Sequence, residues 1–160
     1  MLALSLCADL TGVTQLLPLD TPDEPYFYTF KVQCTSCREI HPNWVSISRH
    51  ESNDVSGSRG EANFVWRCKS CKRETSATIK GPPNPYIQAS PPVLHNIIEI
   101  DCRGLEFTDF KADGEWTANG LETPTKFTGI DLQEGEWFDY DEKASDEVSI
   151  KDIKWSIRRA

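Results

Sequence analysis

Two cysteine pairs constrain this chain more than any other feature. They read Cys34-Thr-Ser-Cys37 and Cys68-Lys-Ser-Cys71, with thirty residues between them. Zn²⁺ favours four soft ligands at the corners of a tetrahedron. Two residues between cysteines let one tight turn aim both sulfurs at one ion. The spacer then has to fold back to deliver the second pair, so it becomes part of the site's architecture. A disulfide or a redox pair is the competing reading. The expectation is one Zn²⁺ per chain, held by Cys34, Cys37, Cys68 and Cys71.

At 160 residues the chain can bury a core in one domain or in two small ones. Met1 to Leu6 lacks the basic start and the length of a signal segment, and no apolar run approaches membrane-spanning length. A cytoplasmic protein is expected, with the nucleus as the other candidate compartment. Thiols stay reduced there, which favours metal over disulfide. The net charge of −8 is uneven. Residues 31–80 hold nine Lys or Arg against five Asp or Glu, a local +4 that leaves −12 on the remainder. Four thiolates on one Zn²⁺ carry −2, so Arg38, Arg67, Lys69, Lys72 and Arg73 beside the ligands suit the thiolate form. The acidic remainder opposes phosphate on average, so nucleic acid is not the expected partner.

Hydrophobic periodicity points to β structure throughout. Leu2, Leu4 and Leu6 alternate with Ala3, Ser5 and Cys7, and Val13 to Leu17 reads as a second strand. Tyr28, Phe30, Val32 and Cys34 share one parity, so an aromatic strand runs straight into the first CxxC turn. Phe64, Trp66 and Cys68 repeat the design, and Trp44 to Ile47 and Thr75 to Ile79 read as the strands that follow. Such knuckles often carry Gly after the second cysteine to allow a left-handed backbone. Arg38 and Lys72 stand there instead, so the turn must tolerate a side chain or take another form.

His50 to Gly60 is a polar loop, and 81–92, with five of the ten prolines, reads as a stiff linker. The expected organisation is a zinc-binding β half over 1–80, the linker over 81–92, and a second β half without a metal site over 93–160. An offset of 94 aligns Leu4-Ser-Leu6 with Ile98-Glu-Ile100, a weak internal repeat. Glu136 to Tyr140 looks like a strand, and Asp141 to Glu147 a polar turn or short helix. Near the end, Val148 and Ile150 share one parity while Ile153, Trp155 and Ile157 share the other. A bulge near Lys151–Asp152 would put both sets on one face.

Three stretches carry a family resemblance. They are Gly57-Ser-Arg-Gly-Glu-Ala-Asn63 leading into Arg67-Cys-Lys-Ser-Cys71, Glu99-Ile-Asp-Cys-Arg-Gly-Leu-Glu106, and Asp131-Leu-Gln-Glu134 with Trp137-Phe-Asp-Tyr-Asp-Glu-Lys143. Together they make the chain resemble the eukaryotic CXXC-motif-containing zinc-binding protein family, also designated DUF866 or UPF0587. The resemblance implies an all-β protein of two similar halves, sandwich-like, with one structural zinc on the four named cysteines. It implies no catalytic residue. Cys7 is not a recognised family position.

The other chemistry-bearing residues have plain readings. Cys102 reads as a buried strand cysteine, although Arg103 beside it could activate a thiol. His41 lies close behind Cys37 but is not needed as a ligand, and His50 and His95 lack partners at ligand spacing. Asp139, Asp141 and Glu142 read as a solvated turn rather than an acid–base pair. Gly57-Ser-Arg-Gly60 lacks the continuation of a phosphate loop and reads as a turn braced by Arg59. A closed Cys₄ site has no open position for water. The expected function is therefore a non-enzymatic interaction or adaptor module with a protein partner, with no membrane partner. Trp137, Phe138 and Tyr140 are the candidate aromatic anchor. The alternatives are a thiol-dependent oxidoreductase resembling B-type methionine sulfoxide reductase, with Cys102 as its thiol, and a metal-handling protein.

Overall fold

The computed structural model describes residues 1–55 and 60–160, and among them the chain forms strands and no helix. In chain order the strands are β1 (Leu2–Thr11), β2 (Val13–Pro18), β3 (Tyr28–Cys34), β4 (Val45–Ile47), β5 (Asn53–Asp54), β6 (Glu61–Ala62), β7 (Phe64–Arg67), β8 (Glu74–Ile79), β9 (His95–Arg103), β10 (Leu105–Lys111), β11 (Trp116–Gly120), β12 (Lys126–Ile130), β13 (Trp137–Asp141) and β14 (Asp146–Arg159). Every pairing is antiparallel. One sheet has six strands in the order β13-β14-β1-β9-β8-β7. Two sheets have three, β10-β3-β4 and β12-β11-β2, and β5-β6 is a ribbon. The architecture is the expected sandwich-like all-β one. Gly57, Ser58 and Arg59 of the expected turn lie outside the described residues.

The six-stranded sheet and both three-stranded sheets combine strands from either side of 81–92. β1 lies between β14 and β9, β3 pairs with β10, and β2 pairs with β11. Leu4, Leu6, Ala8 and Leu10 of β1 face the core as their period-two pattern requires. Ala3 and Ser5 on the opposite face are also fully covered. The buried Ser5 hydroxyl is satisfied: it donates to Asn96 Oδ1 at 2.7 Å and accepts from Arg158 Nε at 3.0 Å.

The core is a run of aromatic rings drawn from distant strands. Phe30 stacks on Phe107 with centroids 4.3 Å apart, and Phe110 meets Trp155 edge-on at 4.8 Å. Trp155 in turn contacts Trp116, and Trp116 contacts Tyr26. Trp116 Nε1 donates to Tyr26 Oη at 3.1 Å, and that hydroxyl donates to the carbonyl of Asp113. The indole and phenol are thereby paired although buried.

The parity break in β14 is resolved as the sequence demands. Cys7 pairs with Lys154 but Asp9 with Lys151, so β14 carries one extra residue, and Asp152 has φ 53°. This bulge turns Val148 and Ile150 inward on one side of it and Ile153, Trp155 and Ile157 inward on the other. Two strand-to-strand turns share a glycine. β1–β2 and β9–β10 turn at Gly12 and Gly104, both with positive φ, a correspondence two residues away from the offset of 94. The proline-rich stretch runs along β2. Tyr86 exchanges backbone hydrogen bonds with Leu16, at 3.0 and 2.9 Å, and is buried, its hydroxyl donating to the Val93 carbonyl.

Candidate metal centre

Each CxxC pair occupies a knuckle between two strands. β3 delivers Cys34 and β7 delivers Cys68, and β4 and β8 lead away. The two knuckles share one backbone scheme. The Cys34 carbonyl accepts from the Arg38 N–H at 2.9 Å while the Cys34 N–H donates to the Glu39 carbonyl at 3.0 Å. Cys68 does the same with Lys72 and Arg73, at 2.9 and 3.0 Å.

Closing these turns puts Arg38 at φ 66° and Lys72 at φ 65°, the left-handed conformation that glycine usually supplies. A side chain there costs about 1–2 kcal/mol. Each strained residue is braced by the residue just before the first cysteine. Gln33 Nε2 donates to the Arg38 carbonyl and Arg67 Nη1 to the Lys72 carbonyl, both at 3.0 Å. The sequence alone marks neither for this role: Arg67 stands out there for its charge and its place in a family stretch, and Gln33 does not stand out. The signal was their shared position ahead of each pair.

The knuckles bring the four sulfurs of Cys34, Cys37, Cys68 and Cys71 within 4.8 Å of one another. Cys34 Sγ lies 3.6 Å from Cys71 Sγ, and Cys37 Sγ lies 3.5 Å from Cys68 Sγ. A tetrahedron with Zn–S bonds of about 2.3 Å has edges of about 3.8 Å, so the cluster suits one zinc ion. All six cysteines are free thiols. Cys34 and Cys68 are buried, Cys71 is half-buried and Cys37 is exposed.

The backbone prepares the inner pair to ionise. The N–H groups of Cys37 and Ser36 point at the Cys34 sulfur and, against the effect of burial, bring its pKa down to about 6. Those of Cys71 and Ser70 lower Cys68 in the same way. Cys37 differs. The Glu39 N–H pulls it down, but desolvation of the sulfur by its neighbours and the protons shared with Cys68, Cys34 and Cys71 push it up to about 12. A cation arriving at the cluster therefore displaces the proton that Cys37 holds. Arg38, Arg67, Lys69, Lys72 and Arg73 are exposed around the knuckles and add positive potential.

The remaining candidates lie elsewhere. His41 stays within its own loop, where Nδ1 accepts from the Asn43 N–H, and its ring meets Trp66 edge-on at 5.7 Å. His50 Nε2 faces the buried Asp20 carboxylate at 3.0 Å, and His95 is exposed at the start of β9. Cys102 is half-buried in β9 and its thiol is pushed up to about 12, chiefly by desolvation. Asp101 and Glu106 also raise it, against the pull of the N-terminal amine. Arg103 extends to Asp101 at 3.6 Å rather than activating this sulfur. Asp141 is buried and accepts from Thr123, Thr125 and two backbone N–H groups, whereas Asp139 is exposed and accepts from the Tyr140 N–H, so the two do not form an acid–base pair. Trp137 packs edge-on against Phe127, while Phe138 and Tyr140 are 59% and 50% exposed.

Known proteins match this chain along its whole length. A family model described as "CXXC motif containing zinc binding protein, eukaryotic" covers residues 3–158. A UPF0587 protein of Schizosaccharomyces pombe is 48% identical over 99% of this chain and 98% of its own. The human protein named CXXC motif containing zinc binding protein is 38% identical over 95% of this chain and 94% of its own. The crystal structure of C1orf123 superimposes with a TM-score of 0.91 at 37% identity, covering 99% of both chains. A hypothetical protein from Plasmodium falciparum shares the fold at a TM-score of 0.86 and 16% identity, covering 98% of both chains. On the sulfur cluster, the fold and these matches, the chain belongs to the eukaryotic CXXC motif containing zinc-binding protein family.

Proposed function

We propose that this protein is a non-catalytic β scaffold stapled by zinc, and that it works in the cytoplasm by binding a protein partner. Cys34, Cys37, Cys68 and Cys71 are the four ligands in this reading. The observation that carries it is the closed sulfur cluster: four thiolates fill a tetrahedral zinc and leave no position for an activated water. The protonated, half-buried Cys102 is a poor nucleophile, which argues against the reductase reading. Phe138 and Tyr140 supply the contact surface. They project side by side from β13, an edge strand of the six-stranded sheet. Eight Asp or Glu against one Lys over residues 131–147 favour a basic partner.

The test combines zinc stoichiometry with partner capture. Native mass spectrometry should find one zinc per chain, absent from Cys34→Ser/Cys37→Ser. Proteins captured by wild type should be lost from Phe138→Ala/Tyr140→Ala while its zinc is retained. Unchanged capture by that variant, or methionine sulfoxide turnover that requires Cys102, would overturn the reading. The exposure of Cys37 favours a second reading, metal hand-over through the outer sulfur. It predicts zinc exchange with a chelator within seconds, whereas a structural staple exchanges over hours.

A further inference from the structure

A cavity of about 370 Å³ lies where the loop after the first knuckle, β10, β14 and the turn at 131–135 meet. Nothing in the metal centre or the β13 surface uses it. Its walls are the rings of Trp44, Phe110 and Trp155 with Leu132 and Ile153. The floor is fixed, because Phe110 and Trp155 are packed against each other at 4.8 Å and Trp155 leans on the buried Trp116. The turn is preformed as well: the Gln133 N–H donates to Asp131 Oδ1 at 2.9 Å and the Gly135 N–H to the Leu132 carbonyl at 3.1 Å. This places the Asp131–Glu134 stretch, which the metal site leaves unused, at the lip of a cavity.

Lys111 lines the cavity, and Lys31 stands beside its Trp44 wall. Lys31 Nζ sits 5.3 Å and Lys111 Nζ 6.0 Å from the centroid of the Trp44 ring, which is 42% exposed. Among the described residues neither lysine forms an ion pair, and Lys31 donates only to the Pro42 carbonyl at 3.0 Å. Lys111 thus brings an ammonium group held in no ion pair to the cavity wall, and Lys31 brings a second to the Trp44 ring. Aromatic walls accept a flat apolar body, and a lysine pair at the opening accepts an anion. The volume lies near the lower end of small-molecule sites, about 300–1,000 Å³, which sets the body at one or two rings.

We propose that this cavity binds a small aromatic carboxylate, its ring lying among Trp44, Phe110 and Trp155 and its carboxylate held at the rim by Lys111 and Lys31. The probe is 2-naphthoate, titrated into the zinc-loaded full chain and followed by ¹⁵N–¹H NMR of the indole N–H groups. Saturable shifts should appear at Trp44 and Trp155 and be absent at Trp66 and Trp137. Lys111→Gln, a change at an exposed side chain, should weaken binding by about tenfold, whereas Lys143→Gln on the acidic hairpin should not. The neutral 2-naphthylmethanol and the cationic 2-naphthylmethylammonium should bind at least about tenfold more weakly than the acid. Absence of saturable shifts up to millimolar probe, equal binding of the alcohol or the amine, or equal losses in the two lysine variants would overturn the proposal.

Discussion

Replacing Cys37 and Cys71 by serine separates what the metal ties together from what the sulfurs bury. Cys34 and Cys68 are fully covered, so changing them would also disturb packing. The outer pair is exposed or half-buried and contributes little beyond coordination. The cluster joins Cys34 to Cys71 across 37 positions and Cys37 to Cys68 across 31. A cross-link closing a loop of that size restricts the unfolded chain by about 4 kcal/mol. That figure applies if the unfolded chain keeps the ion on all four cysteines; if it releases the ion, the binding free energy is lost instead. With a urea slope of about 2 kcal/mol per molar, Cys37→Ser/Cys71→Ser should melt about 2 M earlier than zinc-loaded wild type. Wild type stripped with a chelator should match the variant. The assay is urea titration followed by tryptophan emission, to which Trp66 reports because it touches His41 across the two knuckle arms. Coincident transitions for the variant, stripped wild type and loaded wild type would refute the idea that the sulfur cluster is a structural cross-link.

Tyr26→Phe should cost about 1–3 kcal/mol, since it leaves the buried Trp116 indole N–H without its acceptor; thermal unfolding measures this, and an unchanged melting temperature would count against the bond. Gly104→Ala should destabilise more than Gly135→Ala. Both have positive φ, but a Cβ at Gly104 would lie 2.9 Å from Thr75 Cγ2 whereas one at Gly135 meets nothing within 4 Å, so equal losses in urea midpoints would remove the steric component. Asp141 makes stability depend on acid. The Thr123 hydroxyl, then Thr125 and the N–H groups of Ala144 and Lys143, hold its carboxyl below the usual range against the opposing effect of burial. Its contribution is complete above the unfolded value of about 4 and is lost as pH falls through the lower folded value. Asp141→Asn should therefore be less stable than wild type at pH 7, and the gap should close below about pH 4. A gap that persists through acid titration would show that the side chain acts by shape and not by charge.

Features governed by neighbouring residues were legible in the sequence. The CxxC spacing announces a knuckle because two intervening residues suffice to turn the backbone. It also announces the left-handed residue that follows, which Arg38 and Lys72 adopt in place of glycine. The bulge at Lys151–Asp152 was readable because parity is a strict rule on a strand and a break in it needs an extra residue. Strand neighbours were not readable. Period two says which face of β1 is apolar, but it does not say that β14 and β9 flank it, nor that Ala3 and Ser5 are covered as fully as the leucines. Tyr86 shows the same limit. Its proline-rich surroundings suggest stiffness, and nothing local indicates that its backbone would bridge to Leu16 and its hydroxyl to Val93.

The position of the metal follows from this topology. β7 ends the six-stranded sheet at one edge, and β3 is the middle strand of a different sheet. The knuckles that extend them meet where no backbone ladder joins the two sheets. The Gly104 turn crosses at the same corner: its carbonyl accepts from the Thr35 N–H of the first knuckle at 3.0 Å, and its Cα lies against Thr75 of β8. A zinc ion on the four sulfurs would bridge two sheets that no backbone ladder joins, which is the role the proposed staple requires. The first knuckle also leads into the loop that holds Trp44 over the Phe110–Trp155 floor. The loop that carries Trp44 therefore runs from the first knuckle, which presents Cys34 and Cys37 to the sulfur cluster, to the short strand β4, so the cluster and the cavity are built on one continuous turn of backbone.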